Sequence, residues 1–260
     1  MTEVIDKIIS VVFLGGIADS GKSALLKEID AVGNRKNIEK CQREGSKRSA
    51  DNDEVRLISI SDSFKEPLNA PDGPLSAAVI YVDWKSKEEA AMDALCKKIV
   101  HWRDNTMNRT LIINSHFATY SPGGFMMGLD PPNLRRICLA CNLCRERKEG
   151  KAGVILVDIG VSDVLQRREA QWKVNPEVFS TGAGLLQDLE FNRLYALQYH
   201  STLGRILNDQ ADERVFYHRA LVDWQNVKDL KKDLNEVPEF REMSRNLISF
   251  LEEKQILSRA

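Results

Sequence analysis

The stretch IISVVFLGGIADSGKSALL, residues 8–26, decides the fold of this chain. Its first seven residues are almost all apolar and predict a buried strand, and the apolar residues that follow Ser23 at helical spacing predict a helix. Between these two segments, Gly16 and the run Gly21-Lys22-Ser23 match the pattern G-x-x-x-x-G-K-[ST]. This pattern, in this position between a strand and a helix, is typical of a phosphate-binding loop, or P-loop.

The residue types in this loop follow from the chemistry of a polyphosphate. A dense anion is bound by backbone N–H groups that turn inward around it, and this conformation favours residues without a Cβ. The helix that follows adds the positive end of its dipole. We expect Lys22 to reach the outer phosphates of a nucleoside triphosphate and the Ser23 hydroxyl to ligate Mg²⁺. The expected nucleotide-binding residues are Gly16, Ile17, Ala18, Asp19, Ser20, Gly21, Lys22, Ser23 and Ala24.

Composition narrows the class of protein. The 260 residues are 43% hydrophobic and 29% charged, which is typical of a globular protein with a sizeable core. The net charge of −1 provides no overall basic field for nucleic acid. No apolar stretch approaches the roughly 20 residues that span a bilayer. Five cysteines without an export signal predict reduced thiols in a cytoplasmic protein. We therefore expect a small-molecule nucleotide as partner, no nucleic acid and no membrane, and a homo-oligomer remains open.

Two segments lack the pattern of a core element. Residues 35–54 are almost wholly polar, with interleaved acids and bases and no aromatic residue. They predict a solvated, mobile insertion in preference to an arm that binds RNA or another anion. Residues 65–83 contain three prolines and a glycine and predict a loop that closes over a substrate.

Polar residues follow the next two predicted strands. Asp62 comes after the strand at 55–60, and His116 comes after the strand at 110–113. Ligands bind at the carboxyl ends of the strands in an open α/β sheet. Asp62 is therefore a candidate for binding substrate or a Mg²⁺-bound water, and an equal alternative is that it caps the next helix. The glycine-rich turn at 120–129 would let a ligand approach the backbone, with a plain surface turn as the alternative.

A cysteine-rich helix is predicted over residues 134–148, where Cys138, Cys141 and Cys144 form a C-x-x-C-x-x-C run. Tetrahedral zinc takes four ligands, and no nearby Cys or His supplies the fourth. The favoured interpretation is that these thiols pack in the core, and a zinc site or an iron–sulfur cluster is the alternative.

Further segments complete an alternation of strands and helices. A capping box of the S-x-x-E type at residues 86–89 predicts a helix that runs to about residue 103. The remaining elements, alternately strand and helix, are expected over residues 153–157, 185–204, 214–222 and 238–254. After the fourth strand, a basic stretch carries Arg167 and Arg168, which could neutralise charge on a transferring phosphoryl group or simply end a solvated helix.

The alternation predicts an α/β fold of the P-loop NTPase type, with a five-stranded, mostly parallel sheet and helices on both faces. The chain contains no N-K-x-D motif of the kind by which GTPases read the base. It also has no apolar run that ends in Asp-Glu, which motor ATPases usually carry. P-loop kinases remain.

The P-loop and several later motifs of this chain resemble those of a family, the archaeal-type adenylate kinases, which are P-loop nucleoside-monophosphate kinases. The resemblance covers most of the chain outside two apparent insertions at 35–54 and 138–152. Beyond the P-loop, the family has a G-D-F-like element, an I-D-T-H motif, a T-P-x-G-Y-x-P-G-L loop and an F-x-R-Y-A helix. The similar segments here are residues 61–64, 113–116, 121–129 and 191–196.

The resemblance implies one kinase domain over residues 1–260 that transfers a phosphoryl group from ATP to AMP with Mg²⁺. The resemblance also implies a lid-like segment near residues 166–180. The chain departs from the family at Asn114, where the family has Asp. The implied catalytic residues are Lys22, Arg167 and Arg168, the implied acceptor-binding residues are Asp62, His116, Gly124, Gly128 and Arg193, and the implied metal ligands are Ser23 and Asp62. A kinase for another small acceptor and a non-catalytic nucleotide sensor are the alternatives.

Overall fold

A computed structural model describes residues 7–17, 20–60, 77–121, 124–143, 149–160, 163, 182–209, 213–222 and 237–258. Its strands are β1 (Ser10–Gly15), β2 (Val55–Ser59), β3 (Thr110–Asn114), β4 (Ala118–Ser121), β5 (Gly124–Met127), β6 (Ala152–Ile159) and β7 (Val215–Val222). Its helices are α1 (Lys22–Gly33), α2 (Arg35–Glu44), α3 (Ala77–Asn105), α4 (Pro131–Ala140), α5 (Gly182–Leu207) and α6 (Pro238–Glu253).

Five of these strands form one sheet in the order β2-β3-β1-β6-β7, and every neighbouring pair is parallel. The central strand β1 precedes the P-loop, so the α/β fold of the P-loop NTPase type is confirmed. Strands that are buried on both faces carry continuous apolar runs, as residues 11–14 do here. The β4–β5 pair is a separate antiparallel hairpin.

Helices cover both faces of the sheet, as predicted. On one face, buried residues of α3, α4 and α5 pack against the strands. On the other face, α1 and α6 supply the buried side chains. Alternate residues of β1 point to the two faces, with Val11 and Phe13 on the first and Val12 and Leu14 on the second. Among the described helices, none has both the length and the apolar character needed to span a bilayer.

Helices α3 and α4 differ most from their predicted bounds. Helix α3 begins at Ala77, so the capping box at 86–89 lies inside it and residues 77–83 are helical instead of a loop. Residues 65–76, the rest of the expected substrate loop, lie outside the described residues. Helix α4 ends at Ala140, eight residues before the predicted end at 148, because Asn142 adopts a left-handed conformation with φ 61°.

The polar segment 35–54, which was predicted as a solvated, mobile insertion, is largely helical, because most of it forms α2 and a 3-10 turn at Ala50–Asn52. No residue of α2 is buried, so apolar packing does not hold it. Polar contacts surround it instead: Arg48, which follows the helix, donates hydrogen bonds to Asp30 on α1 at 2.7 and 2.8 Å and to Asp53 at 2.6 and 3.0 Å. The side chain of Asp53 is only 6% exposed and also accepts from Asn37 at 2.6 Å.

The thiols at the end of α4 belong to the core. Cys138 and Cys141 are fully buried, and burial raises the pKa of Cys138 to about 12 and that of Cys141 well above its usual value. Cys144 lies outside the described residues. The described part of the chain brings together no group of three or more Cys, His, Asp or Glu side chains suited to a metal ion.

We predict that Arg48→Met lowers the free energy of unfolding by about 1–3 kcal/mol at neutral pH, because it leaves the buried Asp53 carboxylate without its cation. The Arg48 hydrogen bonds hold the pKa of Asp30 below its usual value. This stabilisation is therefore full above the unfolded-state pKa of about 4 and is lost as the pH falls through the lower folded-state value. Urea unfolding at pH 7 and pH 3 measures both effects.

The matched control is Arg35→Met, which removes an exposed arginine from the first turn of the neighbouring helix α2. Equal unfolding free energies for the two variants at pH 7 would contradict the role of Arg48.

Candidate nucleotide-binding site

The P-loop lies at the carboxyl edge of the sheet, between the ends of two neighbouring strands. In the strand register, Leu14 of β1 pairs with Asn114 of β3, and Gly15 pairs with Leu156 of β6. The loop that leaves Gly15 is therefore flanked by the end of β3 on one side and the end of β6 on the other. This edge is where open parallel sheets bind ligands.

The two glycines of the motif are required by the backbone itself. Gly16 has φ 151°, and a Cβ at this position would overlap the carbonyl oxygen of Val157 on β6. Gly21 has φ 94° and caps the N-terminus of α1 in a left-handed conformation. Both positions therefore exclude a side chain, which leaves the loop backbone packed directly against β6. Ala18 and Asp19 lie outside the described residues.

The Lys22 side chain lies across the loop, and the residue is only 8% exposed. Its ammonium group donates to the carbonyl oxygen of Gly16 at 2.8 Å and to that of Ile17. A buried positive charge is thus held at the mouth of the loop, beside the N-terminus of α1. A phosphate that entered the loop would meet both this ammonium and the helix dipole.

Buried oxygen atoms without partners surround the loop. Ser20 Oγ, Asn114 Oδ1 and Ser115 Oγ are inaccessible to solvent and make no hydrogen bond with any described residue. Buried polar atoms in proteins are normally satisfied, so these three mark a place where a ligand, an ion or water completes the bonding. Neutral oxygen donors also fit Mg²⁺, which prefers oxygen ligands. Ser23 is exposed in the first turn of α1, and Asp62 lies outside the described residues.

The imidazole of His116 also lies beside the loop. It makes a hydrogen bond with the backbone of Gly16. Part of the residue surface is open to solvent, but displacement of water by neighbouring protein atoms, together with the positive charge of Lys22, lowers the pKa of the imidazole. His116 is therefore neutral at physiological pH and can both donate and accept a hydrogen bond.

Most of the described part of the glycine-rich segment 120–129 lies in the β4–β5 hairpin, and Gly128, just after β5, approaches the backbone of His116. A Cβ on Gly128 would overlap the carbonyl oxygen of His116, and the Gly128 N–H donates to the carbonyl of Phe117 at 2.9 Å. Next to it, the N–H of Leu129 donates to the hydroxyl of the buried Tyr199. Gly128 thus fixes the position of His116 through the backbone. Gly124 begins β5.

A cationic pair stands at the end of β6. Arg193 of α5 donates to the Asp158 carboxylate through Nε at 3.0 Å and Nη2 at 3.1 Å. Arg219 of β7 donates to the same carboxylate through Nε at 2.6 Å. Arg193 was predicted to bind an acceptor, whereas Arg219 was missed because it lies within a strand. The signal was present, since Arg219 interrupts the otherwise uncharged run V-F-Y-H-R-A-L-V.

The structure thus brings Lys22, His116 and Arg193 to one edge of the sheet. The predicted residues Asp62, Arg167 and Arg168, and the lid-like segment 166–180 as a whole, lie outside the described residues. Their expected roles remain predictions.

Comparison with protein-family models and with curated proteins gave no match. Among solved structures, the chain is similar to a protein of Chloroflexus aurantiacus that has been described provisionally as a kinase. The two share 13% identity with a TM-score of 0.45, and the match covers 94% of this chain and 98% of that one. It is also similar to a shikimate kinase from Bacteroides thetaiotaomicron, with 10% identity, a TM-score of 0.38 and coverage of 94% and 98%. A third is a thymidylate kinase from Candida albicans, with 9% identity, a TM-score of 0.39 and coverage of 96% and 93%.

We predict that Gly128→Ala destabilises the protein by about 1–3 kcal/mol, because the added methyl group meets a backbone oxygen that cannot rotate away. The substitution also displaces His116, so ATP affinity should fall together with the thermal midpoint. Thermal unfolding with and without Mg·ATP measures both.

The matched control is Gly204→Ala within α5, where the nearest atom, the Asp209 carbonyl oxygen, is 3.9 Å from the added Cβ. Helix propensity predicts that this variant is unchanged or up to about 1 kcal/mol more stable. A Gly128→Ala protein as stable as Gly204→Ala would contradict the proposed contact with His116.

Proposed function

We propose that this protein is an ATP-dependent nucleoside-monophosphate kinase that transfers the terminal phosphoryl group of ATP to AMP with the help of Mg²⁺. The observation that supports this proposal best is the buried Lys22 ammonium, held over a P-loop at the carboxyl end of the central strand. The resemblance to archaeal-type adenylate kinases suggests the acceptor.

In this proposal, the loop N–H groups and Lys22 hold the outer phosphates of ATP. Ser23, with Asp62, would hold Mg²⁺, which neutralises charge on the phosphate oxygens. The unpartnered oxygens of Asn114 and Ser115 lie beside the loop and fit the water shell of such an ion.

The reaction is a direct in-line displacement. An oxygen of the AMP phosphate forms a bond to the γ-phosphorus while the bond between that phosphorus and the bridging oxygen of ADP breaks, so no covalent intermediate with the protein forms. Arg167 and Arg168 would neutralise the charge of the transferring group, and such an arginine contributes about 10³-fold or more in rate. Arg193 would contact phosphate from α5.

A second candidate is a protein that binds a nucleotide without phosphoryl transfer, and Asn114 favours it. This residue ends β3 next to the P-loop strand, where the resembling family has a carboxylate. An amide oxygen carries no net charge, so it attracts a divalent cation and its water shell less strongly than a carboxylate does. Tight ATP binding without acceptor-stimulated turnover would distinguish this candidate from a kinase.

We predict that Lys22→Ala lowers ATP affinity at least about 10-fold and abolishes phosphoryl transfer, because the loop loses the buried ammonium group that lies across it. Isothermal titration with Mg·ATP and a coupled ADP-release assay with AMP, CMP, UMP and GMP measure the two effects. The same assay with simple alcohols tests for another acceptor.

The control is Lys27→Ala, which removes an exposed lysine from the same helix. Turnover in Lys22→Ala equal to that in Lys27→Ala would refute the proposed function.

We further predict that Asn114→Asp lowers the Mg²⁺ concentration for half-maximal activity by about 3- to 10-fold, because a carboxylate binds the water shell of the ion more tightly than an amide. Asn105→Asp, at the exposed end of α3, supplies the same change of charge away from the loop and should leave this value unchanged. If the wild type and both variants bind ATP but show no acceptor-dependent turnover, the result would favour the non-catalytic candidate.

A further inference from the structure

The Asp158 carboxylate organises two guanidinium groups at the end of β6. The residue is 1% exposed, and its two oxygens accept four hydrogen bonds. Three come from Arg193 and Arg219, and the fourth comes from the N–H of Ile159 at 3.0 Å. Because both carboxylate oxygens are fully used, neither arginine can rotate without breaking a charge-assisted bond.

Asp158 and the two guanidinium groups together carry one positive charge. Among the described residues, the other acid paired with them is Glu190, which lies 3.7 Å from Arg193 Nη1 and is itself 65% exposed. An exposed pair at this distance contributes little. Nη1 of Arg219 makes no polar contact with any described residue, and the side chains of Arg219 and Arg193 are 48% and 35% exposed. Rigid N–H donors are therefore available to an anion from solvent.

The cluster lies at the same edge of the sheet as the P-loop. Arg219 pairs in register with Leu156, and Leu156 pairs with Gly15, so Arg219 stands two strands from the start of the loop. At a spacing of about 4.8 Å between neighbouring strands, this separation is roughly 10 Å. Asp158 lies two residues further toward the carboxyl edge. A small acceptor beside a triphosphate in the loop would fall within this span.

A purely structural role explains this arrangement less well. One arginine suffices to compensate a buried carboxylate, and buried ion pairs add little net stability over apolar residues. A second arginine, half exposed and directed at the same acid, adds a preoriented fork of donors. Such forks suit groups with two terminal oxygens, such as phosphate and carboxylate.

We propose that Arg193 and Arg219, positioned by Asp158, form an anion clamp that binds the charged group of the phosphoryl acceptor. The acceptor class is therefore small molecules with a phosphate monoester or a carboxylate, and neutral alcohols and sugars are disfavoured. This inference rests on the proposed function, because the P-loop must hold the nucleotide for the clamp to face an acceptor.

The test titrates inorganic phosphate into the full-length protein saturated with Mg²⁺ and adenylyl imidodiphosphate, a non-hydrolysable ATP analogue that occupies the P-loop. We expect phosphate to bind the wild type and to bind Arg219→Gln and Arg193→Gln at least 10-fold more weakly. Arg135→Gln, which removes an exposed arginine of α4, is the matched control and should equal the wild type. Absence of phosphate binding to the loaded wild type, or equal affinity in Arg219→Gln, overturns the clamp.

Arg219→Lys distinguishes a loss of binding from a folding defect, because lysine keeps a cation beside Asp158 but lacks the forked N–H donors of a guanidinium group. We expect it to retain the wild-type thermal midpoint and to bind phosphate about 3- to 10-fold more weakly. Phosphate affinity that follows the thermal midpoint across all variants would show a structural role only and would overturn the clamp.

A second arm separates this inference from the proposed function. AMP and adenosine differ only in the phosphate, so AMP should bind the loaded wild type at least 10-fold more tightly, and this ratio should collapse in Arg219→Gln. If AMP binds no more tightly than adenosine while inorganic phosphate still depends on Arg219, the clamp stands and AMP fails as the acceptor. If the ATP analogue does not bind at all, the proposed function fails first.

Discussion

The close approach between Gly16 and the carbonyl group of Val157 is the contact on which the rest of the site depends. It leaves no space for a Cβ, so the loop after β1 packs directly on the backbone of the neighbouring strand β6. This position sets where α1 begins, and therefore where the Lys22 ammonium and the positive end of the helix dipole lie. The other neighbouring strand, β3, leads to His116, and the backbone of Gly16 in the fixed loop is a hydrogen-bond partner of this imidazole. Two parallel strands and one glycine thus assemble the cationic edge of the sheet.

An aromatic cluster in the core connects the central strand to the β4–β5 hairpin. Tyr199 of α5 is fully buried, and its ring packs edge to face against Phe13 of β1 and Phe117 after β3, with centroid distances of 5.8 and 5.0 Å. Its hydroxyl accepts from the N–H of Leu129, next to the glycine that supports His116. Loss of this side chain would therefore loosen the central strand and the hairpin together. Burial also raises the pKa of Tyr199, so the phenol stays protonated throughout the physiological range.

The sequence predicted those features that depend on local pattern. The P-loop motif, the apolar strands and the alternation with helices require only periodicity and glycine chemistry, and the observed sheet agrees with them. Features that depend on distant polar contacts were missed. Helix α2 has no buried residue, and its Asn37 donates to Asp53, which pairs with Arg48 after the helix; Arg48 also pairs with Asp30 of α1. Arg219 becomes notable only when the fold sets it beside Asp158, 61 residues earlier in the chain. The acceptor is still harder to predict from the sequence, because a phosphate-binding motif carries no information about the molecule that receives the phosphoryl group.

Helix α2 and the sheet that it joins respond differently to salt. Arg48, just after α2, forms an ion pair with Asp30 of α1 in which both side chains are about 30% exposed, so added salt screens this pair. The apolar core of the sheet is insensitive to screening, and strongly hydrated anions such as sulfate strengthen it. Concentrated sulfate would therefore weaken the link between α1 and the segment after α2, while the sheet itself becomes harder to unfold. Ionic strength alone therefore shifts the relative stability of these two parts of the molecule, without any change in sequence.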